Sequence, residues 1–307
     1  MTKYLLLLLM VIPLLVHGQN LFNISFGDNR TGEILQVFDS DIYRFEGQAG
    51  DRIWIRATDA ASSIDASLKL SKGATLYQIV EGTGGDVEIF DFVLPESGIF
   101  DIEIYDRGRN DSGAYGLSLQ RLNNPDYGRQ IHCGDDIFDE ISTHVGVKVY
   151  QFAVEPGDKA FAQLRAVSAH FEATLYLFNE NGDLLAKSIR KANPFAMIRD
   201  INVLTAEKYS LFAFDANGND QSEFGLTYQD LNDPTCGTKP VDCPITVKQR
   251  FPFSLRHMLM AFGLKKVRDL SPKLWRPTIV LKPWWMYTIL SVKCCFTSGY
   301  RVKPVIS

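Results

Sequence analysis

Two short loops carry the oxygen donors that a hard cation requires. Asp106-Arg107-Gly108-Arg109-Asn110-Asp111 and Asp215-Ala216-Asn217-Gly218-Asn219-Asp220 place Asp, Asn and Asp at the same offsets. Oxygen ligands clustered on a Gly-containing loop suit Ca2+. The pattern therefore predicts one calcium site at Asp106, Asn110 and Asp111 and a second at Asp215, Asn219 and Asp220. The same residues suit an Asx-stabilised turn between two strands. The spacing is not that of an EF-hand loop, and its bidentate Glu is missing. A second acidic group, Asp135, Asp136, Asp139 and Glu140, reads as solvated surface charge.

Thiol and imidazole chemistry is thinner. Five cysteines occur. Cys236 and Cys243 frame the stretch Cys236-Gly237-Thr238-Lys239-Pro240-Val241-Asp242-Cys243, and a bond between them would close a small loop. Sequence alone does not fix the connectivity, so other pairings stay open. No second Cys or His pair makes this a zinc pattern. His132, His144, His170 and His257 stand apart from any Gly-x-Ser-x-Gly or His-Glu-x-x-His motif. Gly82-Thr83-Gly84-Gly85 leads into no Lys-Ser/Thr phosphate loop. No catalytic residue is expected, and the chain is not read as an enzyme.

The elements that position the two loops are themselves repeated. Tyr43-Arg44-Phe45 with Gly50-Asp51 returns as Tyr150-Gln151-Phe152 with Gly157-Asp158, at an offset of 107. Tyr115-Gly116-Leu117 through Leu122-Asn123-Asn124-Pro125 returns as Phe224-Gly225-Leu226 through Leu231-Asn232-Asp233-Pro234, at an offset of 109. Short apolar stretches separated by Gly, Asp and Ser read as strands. Phe100-Asp101-Ile102-Glu103-Ile104-Tyr105 alternates as a half-buried strand does. The fold class is all-β, as two tandem antiparallel jelly-roll-like β-sandwiches. The expected division is a signal peptide over 1–18, one sandwich over 19–125, a linker over 126–132, a second sandwich over 133–234 and a linker over 235–242. Residues 243–307 then form an aborted third repeat or a poorly structured basic tail.

The ends add a compartment. Lys3 precedes the apolar run Leu5 to Val16, and Val16 and Gly18 suit cleavage before Gln19. The expectation is a secreted or cell-surface protein with no membrane helix in the mature chain. The net charge of −4 hides an asymmetry, since 243–307 carries +11 and the rest −15. The acidic body argues against nucleic acid as a partner. In the tail the repeat motifs lapse: Met260, Val267 and Arg268 stand where Tyr and Gly-Asp belong. Either a shifted reading frame or a basic aromatic tail for an acidic glycan or membrane surface accounts for this.

The motif set Asp41-Ile42-Tyr43-Arg44-Phe45…Gly50-Asp51, Ala66-Ser67-Leu68-Lys69-Leu70, Ser97-Gly98-Ile99-Phe100-Asp101-Ile102 and Gly113-Ala114-Tyr115-Gly116-Leu117 resembles the bacterial pre-peptidase C-terminal domain. The second copy repeats these motifs, so the resemblance covers roughly residues 26–234. It implies small secreted jelly-roll-like sandwiches, non-catalytic and appended to exported proteins, some binding calcium or fibrous substrates. The function expected is a spacer, adhesion or substrate-binding module, with calcium as a stabilising ion and an extracellular protein or glycan as partner. The alternatives are a carbohydrate-binding accessory protein, for which Trp54 and Tyr77 are the candidate platforms, or a non-catalytic fragment of a longer secreted enzyme such as a peptidase.

Overall fold

The computed structural model describes residues 19–233 except 61–62, 190–193 and 204–206. It also describes Cys236 and the stretches 245–249, 278–280, 283–284 and 287–293. The expected signal peptide lies outside the described residues.

The first copy consists of β1 (Gln19–Asn23), β2 (Asn29–Ile34), β3 (Ser40–Gly47), β4 (Arg52–Asp59), β5 (Ala66–Lys72), β6 (Thr75–Val80), β7 (Asp86–Val93), β8 (Gly98–Asp106) and β9 (Gly113–Arg121). The second copy follows as β10 (Arg129–Gln130), β11 (Asp136–Ile141), β12 (Val147–Val154), β13 (Lys159–Ala166), β14 (Ala173–Phe178), β15 (Leu184–Ile189), β16 (Phe195–Asn202), β17 (Glu207–Asp215) and β18 (Ser222–Asp230). In the first copy, sheet I runs β1-β3-β8-β5-β6 and sheet II runs β2-β9-β4-β7. In the second, sheet III runs β10-β12-β17-β14-β15 and sheet IV runs β11-β18-β13-β16. The two orders are the same strand for strand, so the duplication read from the motifs is a duplication of topology. All pairs are antiparallel except β1 with β3 and β10 with β12. The expected linker 126–132 thus contains β10, an edge strand of sheet III. Its residues Arg129 and Gln130 pair with Tyr150 and Gln151, which serves their backbone groups where a free linker would leave them to water.

The repeated motifs are fold residues. Tyr43 and Phe45, and Tyr150 and Phe152, sit at i and i+2 and are all buried in the two cores. Gly50 and Gly157 take φ of 90° and 98°, which suits glycine. The following Asp51 and Asp158 accept the backbone N–H of Gln48 (2.8 Å) and Glu155 (2.7 Å), closing each turn. In the tail, β19 (Ile245–Gln249), β20 (Thr278–Val280), β21 (Pro283–Trp284) and β22 (Tyr287–Lys293) are described, and they pair only with one another.

A third apolar cluster lies between sheets II and III. It joins Trp54 and Leu122 of the first copy to Val147, Val149, Phe178, Phe212 and Phe214 of the second. These side chains point away from their own cores, so β4 and β17 are buried on both faces. Trp54 stacks on Tyr176 (ring centroids 5.9 Å apart) and meets Phe214 edge-on at 5.0 Å. Beside it, the Arg56 guanidinium lies 4.8 Å from the Phe214 ring and donates to the carbonyls of Asp215 and Ala216. Asp86 neutralises it at 3.0 Å. Asn29 accepts the Val147 N–H (3.0 Å) and donates to the Val147 carbonyl (3.1 Å), as a neighbouring strand would. Arg52, held by Asp91, bonds Asp183 at 2.7 Å. The molecule is therefore four stacked sheets with three apolar layers between them.

Candidate functional site

The two acidic loops lie at the ends of β8 and β17, as their spacing implies. Asp106 is buried. Its Oδ1 accepts the Asp65 N–H (2.9 Å), and its Oδ2 accepts those of Asn110 (3.0 Å) and Asp111 (3.3 Å). Asp215 is buried too, its Oδ1 accepting the Glu172 N–H (2.6 Å) and its Oδ2 those of Asn219 (3.2 Å) and Asp220 (3.4 Å). Burial nonetheless raises the Asp215 carboxyl above the usual carboxylate range. Each aspartate turns both oxygens onto backbone donors of its own loop and of the segment entering the neighbouring strand. Asn110 donates to Asp111 (2.8 Å). These contacts close a turn at each loop. Among the described residues, no group of three or more His, Cys, Asp or Glu side chains stands together as a metal site.

Cys236 bonds Cys133, with Cα atoms 5.3 Å apart, and so is not free for Cys243, which lies outside the described residues. The second copy ends where it began: β18 runs beside β11, and the chain leaving β18 meets the residue that precedes it. The equivalent positions in the first copy are Phe26 and Tyr127. There the Tyr127 hydroxyl accepts the Arg121 N–H (2.8 Å) and donates to Gln120 (3.0 Å).

The aromatic platforms also move. Trp54 is 1% exposed, enclosed in the layer between the copies, with its indole N–H donated to Glu88. Tyr77 packs on Phe92 and Phe100 and donates to Glu96 at 2.5 Å. The Trp54 ring is thus closed to a sugar, and the Tyr77 ring is half-buried.

Two clefts lie at the same place in the two copies, between the β1–β3 edge of sheet I and β2 of sheet II and between their counterparts, β10–β12 and β11. The first has a volume of about 530 Å³ and is lined by Asn20, Phe22, Arg30, Gly32, Glu33, Asp41 and Tyr43, among others. The second, about 260 Å³, is lined by Tyr127, Arg129, Asp139, Lys148 and Tyr150, with Gly27 and Asn29 of the first copy across it. In the first, Tyr115 donates to Asp41 at 2.5 Å, shares a hydrogen bond with Tyr43 (2.9 Å), and Asn20 donates to the other Asp41 oxygen (2.9 Å). Burial, then the bond to Asp41, pushes the Tyr115 phenol far up, so it remains a donor. In the second, Tyr150 donates to Asp139 (2.9 Å) and Lys148 pairs with it at 3.0 Å. Burial opposes that charge, but the Glu140 N–H, Lys148 and Tyr150 outweigh it and hold the carboxyl below its usual range. Asp139, expected to be solvated, is thus a working member of this cleft. Its members come from β10, β11 and β12 here, and from β1, β2, β3 and β9 in the first copy. Only the offset comparison of Asp41 with Lys148 and Gly32 with Asp139 was available to reveal it.

Residues 39–106 match the family model described as the bacterial pre-peptidase C-terminal domain. That match spans β3 to β8. The first copy thus bears the resemblance read from its motifs, and β12 to β17 repeat the same sheet order. Among solved structures, the chain is similar to the pre-peptidase C-terminal domain of collagenase from Bacillus anthracis. The identity is 16% and the TM-score 0.30, covering 35% of this chain and 99% of that one. It is also similar to PliG from Aeromonas hydrophila, a periplasmic inhibitor of g-type lysozyme (16% identity, TM-score 0.23, 34% of this chain and 100% of that one). The PBSX exported protein XepA aligns at 9% identity and a TM-score of 0.23, over 66% of this chain and 87% of that one. No curated protein matches the sequence. Pre-peptidase C-terminal domains are generally non-catalytic modules, often parts of secreted peptidases. No helix among the described residues is long and apolar enough to cross a membrane.

Proposed function

We propose that this chain is an exported, non-catalytic module that presents two pre-peptidase C-terminal-like sandwiches at a fixed spacing to an extracellular partner. The observation that carries this reading is the buried layer around Trp54 between sheets II and III. An interface that encloses a Trp, an Arg and four aromatic neighbours resembles a domain core, and such interfaces do not permit the free relative motion expected of linked modules. Support for export comes from the charged and apolar start of the chain and from the Cys133–Cys236 bond, which suits an oxidising compartment. Against catalysis stands the resemblance itself, since pre-peptidase C-terminal domains are generally non-catalytic modules.

The test is a distance distribution by double electron–electron resonance, with spin labels at Thr75 on β6 and Leu185 on β15 of the full chain. One narrow distribution is expected. A broad distribution typical of a hinged pair would refute the fixed spacing.

A further inference from the structure

We propose that the cleft of the first copy binds an alkylammonium group, the chemistry of a lysine side chain on a partner protein. This rests on the module reading above and names what its first copy would hold. The two clefts are the same place twice, and the second is complete. There Asp139 receives a tyrosine hydroxyl and the ammonium of Lys148. In the first, the carboxylate stands on β3 at Asp41, the position of Lys148, and receives tyrosine and asparagine only. Asp41 is 3% exposed and, among the described residues, pairs with no cation. A buried carboxylate is stabilised by an opposite charge, and among the described residues no side chain supplies it.

The neighbouring groups agree. Arg30 lines the cleft but is bonded to Asp28 at 2.7 Å, so its charge is already matched. Glu33 adds a second acid at the exposed rim. Gly32 keeps the cleft open where Asp139 fills its counterpart. A Cβ at Gly32 would collide with the Tyr115 hydroxyl, whereas Phe224, at the Tyr115 position, has no hydroxyl and leaves room for the Asp139 side chain. Phe22, 42% exposed and stacked on Tyr43 at 5.1 Å, offers an apolar wall for the methylene stem. A lysine entering along Phe22 would bring to Asp41 the ammonium that the second copy supplies to Asp139 from within.

The experiment is an NMR titration of the full chain with Nα-acetyl-lysine amide, with Nα-acetyl-norleucine amide as the uncharged control. Saturable shifts with the lysine amide and none with the norleucine amide are expected. A variant carrying Gly32→Asp, Asp41→Lys and Tyr115→Phe installs the second copy's set, which is known to pack together. It should melt like the parent and bind the lysine amide at least about tenfold more weakly, the scale of a lost charge-assisted bond. Should the triple variant fail to fold, Asp41→Asn alone decides, with the same expected loss. Equal binding of the two amides, undiminished binding by the variants, or no saturation in the parent would overturn the proposal. A fixed spacing between the spin labels would survive such a failure, so the two readings fail separately.

Discussion

Sheets I and III are built from equivalent strands, yet one turns its outer face to water and the other to protein. On β8, Asp101 and Glu103 alternate with the inward Phe100, Ile102 and Ile104, and Glu103 is paired with Lys69 (2.8 Å) and Arg109 (3.1 Å). On β17 the corresponding outward residues are Ser210, Phe212 and Phe214, and the two phenylalanines enter the layer around Trp54. The inward residues keep the same apolar character in both. Fold is therefore carried by one face of these strands, and the relation between the copies by the other. A strand buried on both faces loses the alternation that marks a half-buried one.

The comparison is broken most directly at Trp54. Trp54→Ala should cost roughly 3–5 kcal/mol and split one unfolding transition into two, whereas Phe161→Ala at the equivalent, half-buried place should cost about 1 kcal/mol. Urea unfolding of both variants checks this. The closures at the two ends of each copy differ next. Replacing Cys133 and Cys236 together by Ala should remove about 2–4 kcal/mol, while Tyr127→Phe, the counterpart in the first copy, should remove about 1 kcal/mol. In the Trp54→Ala background, the loss of the disulfide should fall on the transition of the second copy alone, visible through hydrogen exchange in β13 and β18.

The acidic loops should prove alike. Asp106→Ala and Asp215→Ala each orphan three N–H groups and should cost about 1–3 kcal/mol. Thermal melts in calcium and in chelator should coincide if these loops are turns alone, and a calcium-dependent rise would support the metal reading. The smallest effect concerns Asp183, whose carboxyl is held below its usual range by Arg52 and then Asn179. A depressed carboxyl contributes stability above its unfolded value, about 3.9, and loses it as pH falls through the lower folded value. Asp183→Asn should therefore melt slightly lower than the parent at neutral pH, and the gap should close in acid.

The duplication was legible because its markers are local. Tyr-x-Phe, Gly-Asp and the closing Tyr/Phe-Gly-Leu each occupy a few neighbouring positions and recur at nearly constant offset. The layer between the copies was not, because its residues lie on strands far apart in sequence and look like ordinary core. Tyr209 to Phe214 held the signal, an apolar stretch where its counterpart has acids. The disulfide was missed for a related reason. Cys236 has a near neighbour in sequence, but strand pairing across the whole second copy brings Cys133 to it. The clefts were hidden because Gly32, Asp41 and Tyr115 come from three strands, and only their replacements in the second copy explain them together.

The seam joins two different faces, sheet II of one sandwich to the counterpart of sheet I in the next. Such a contact has a direction and does not close on itself. The charged groups on the outer face of sheet I then act as a terminus: a preceding sandwich would have to bury Lys69 and Arg109, the half-exposed partners of Glu103, to dock there. Stacks of repeated units need a polar end piece to remain soluble, and this face supplies it at one end only.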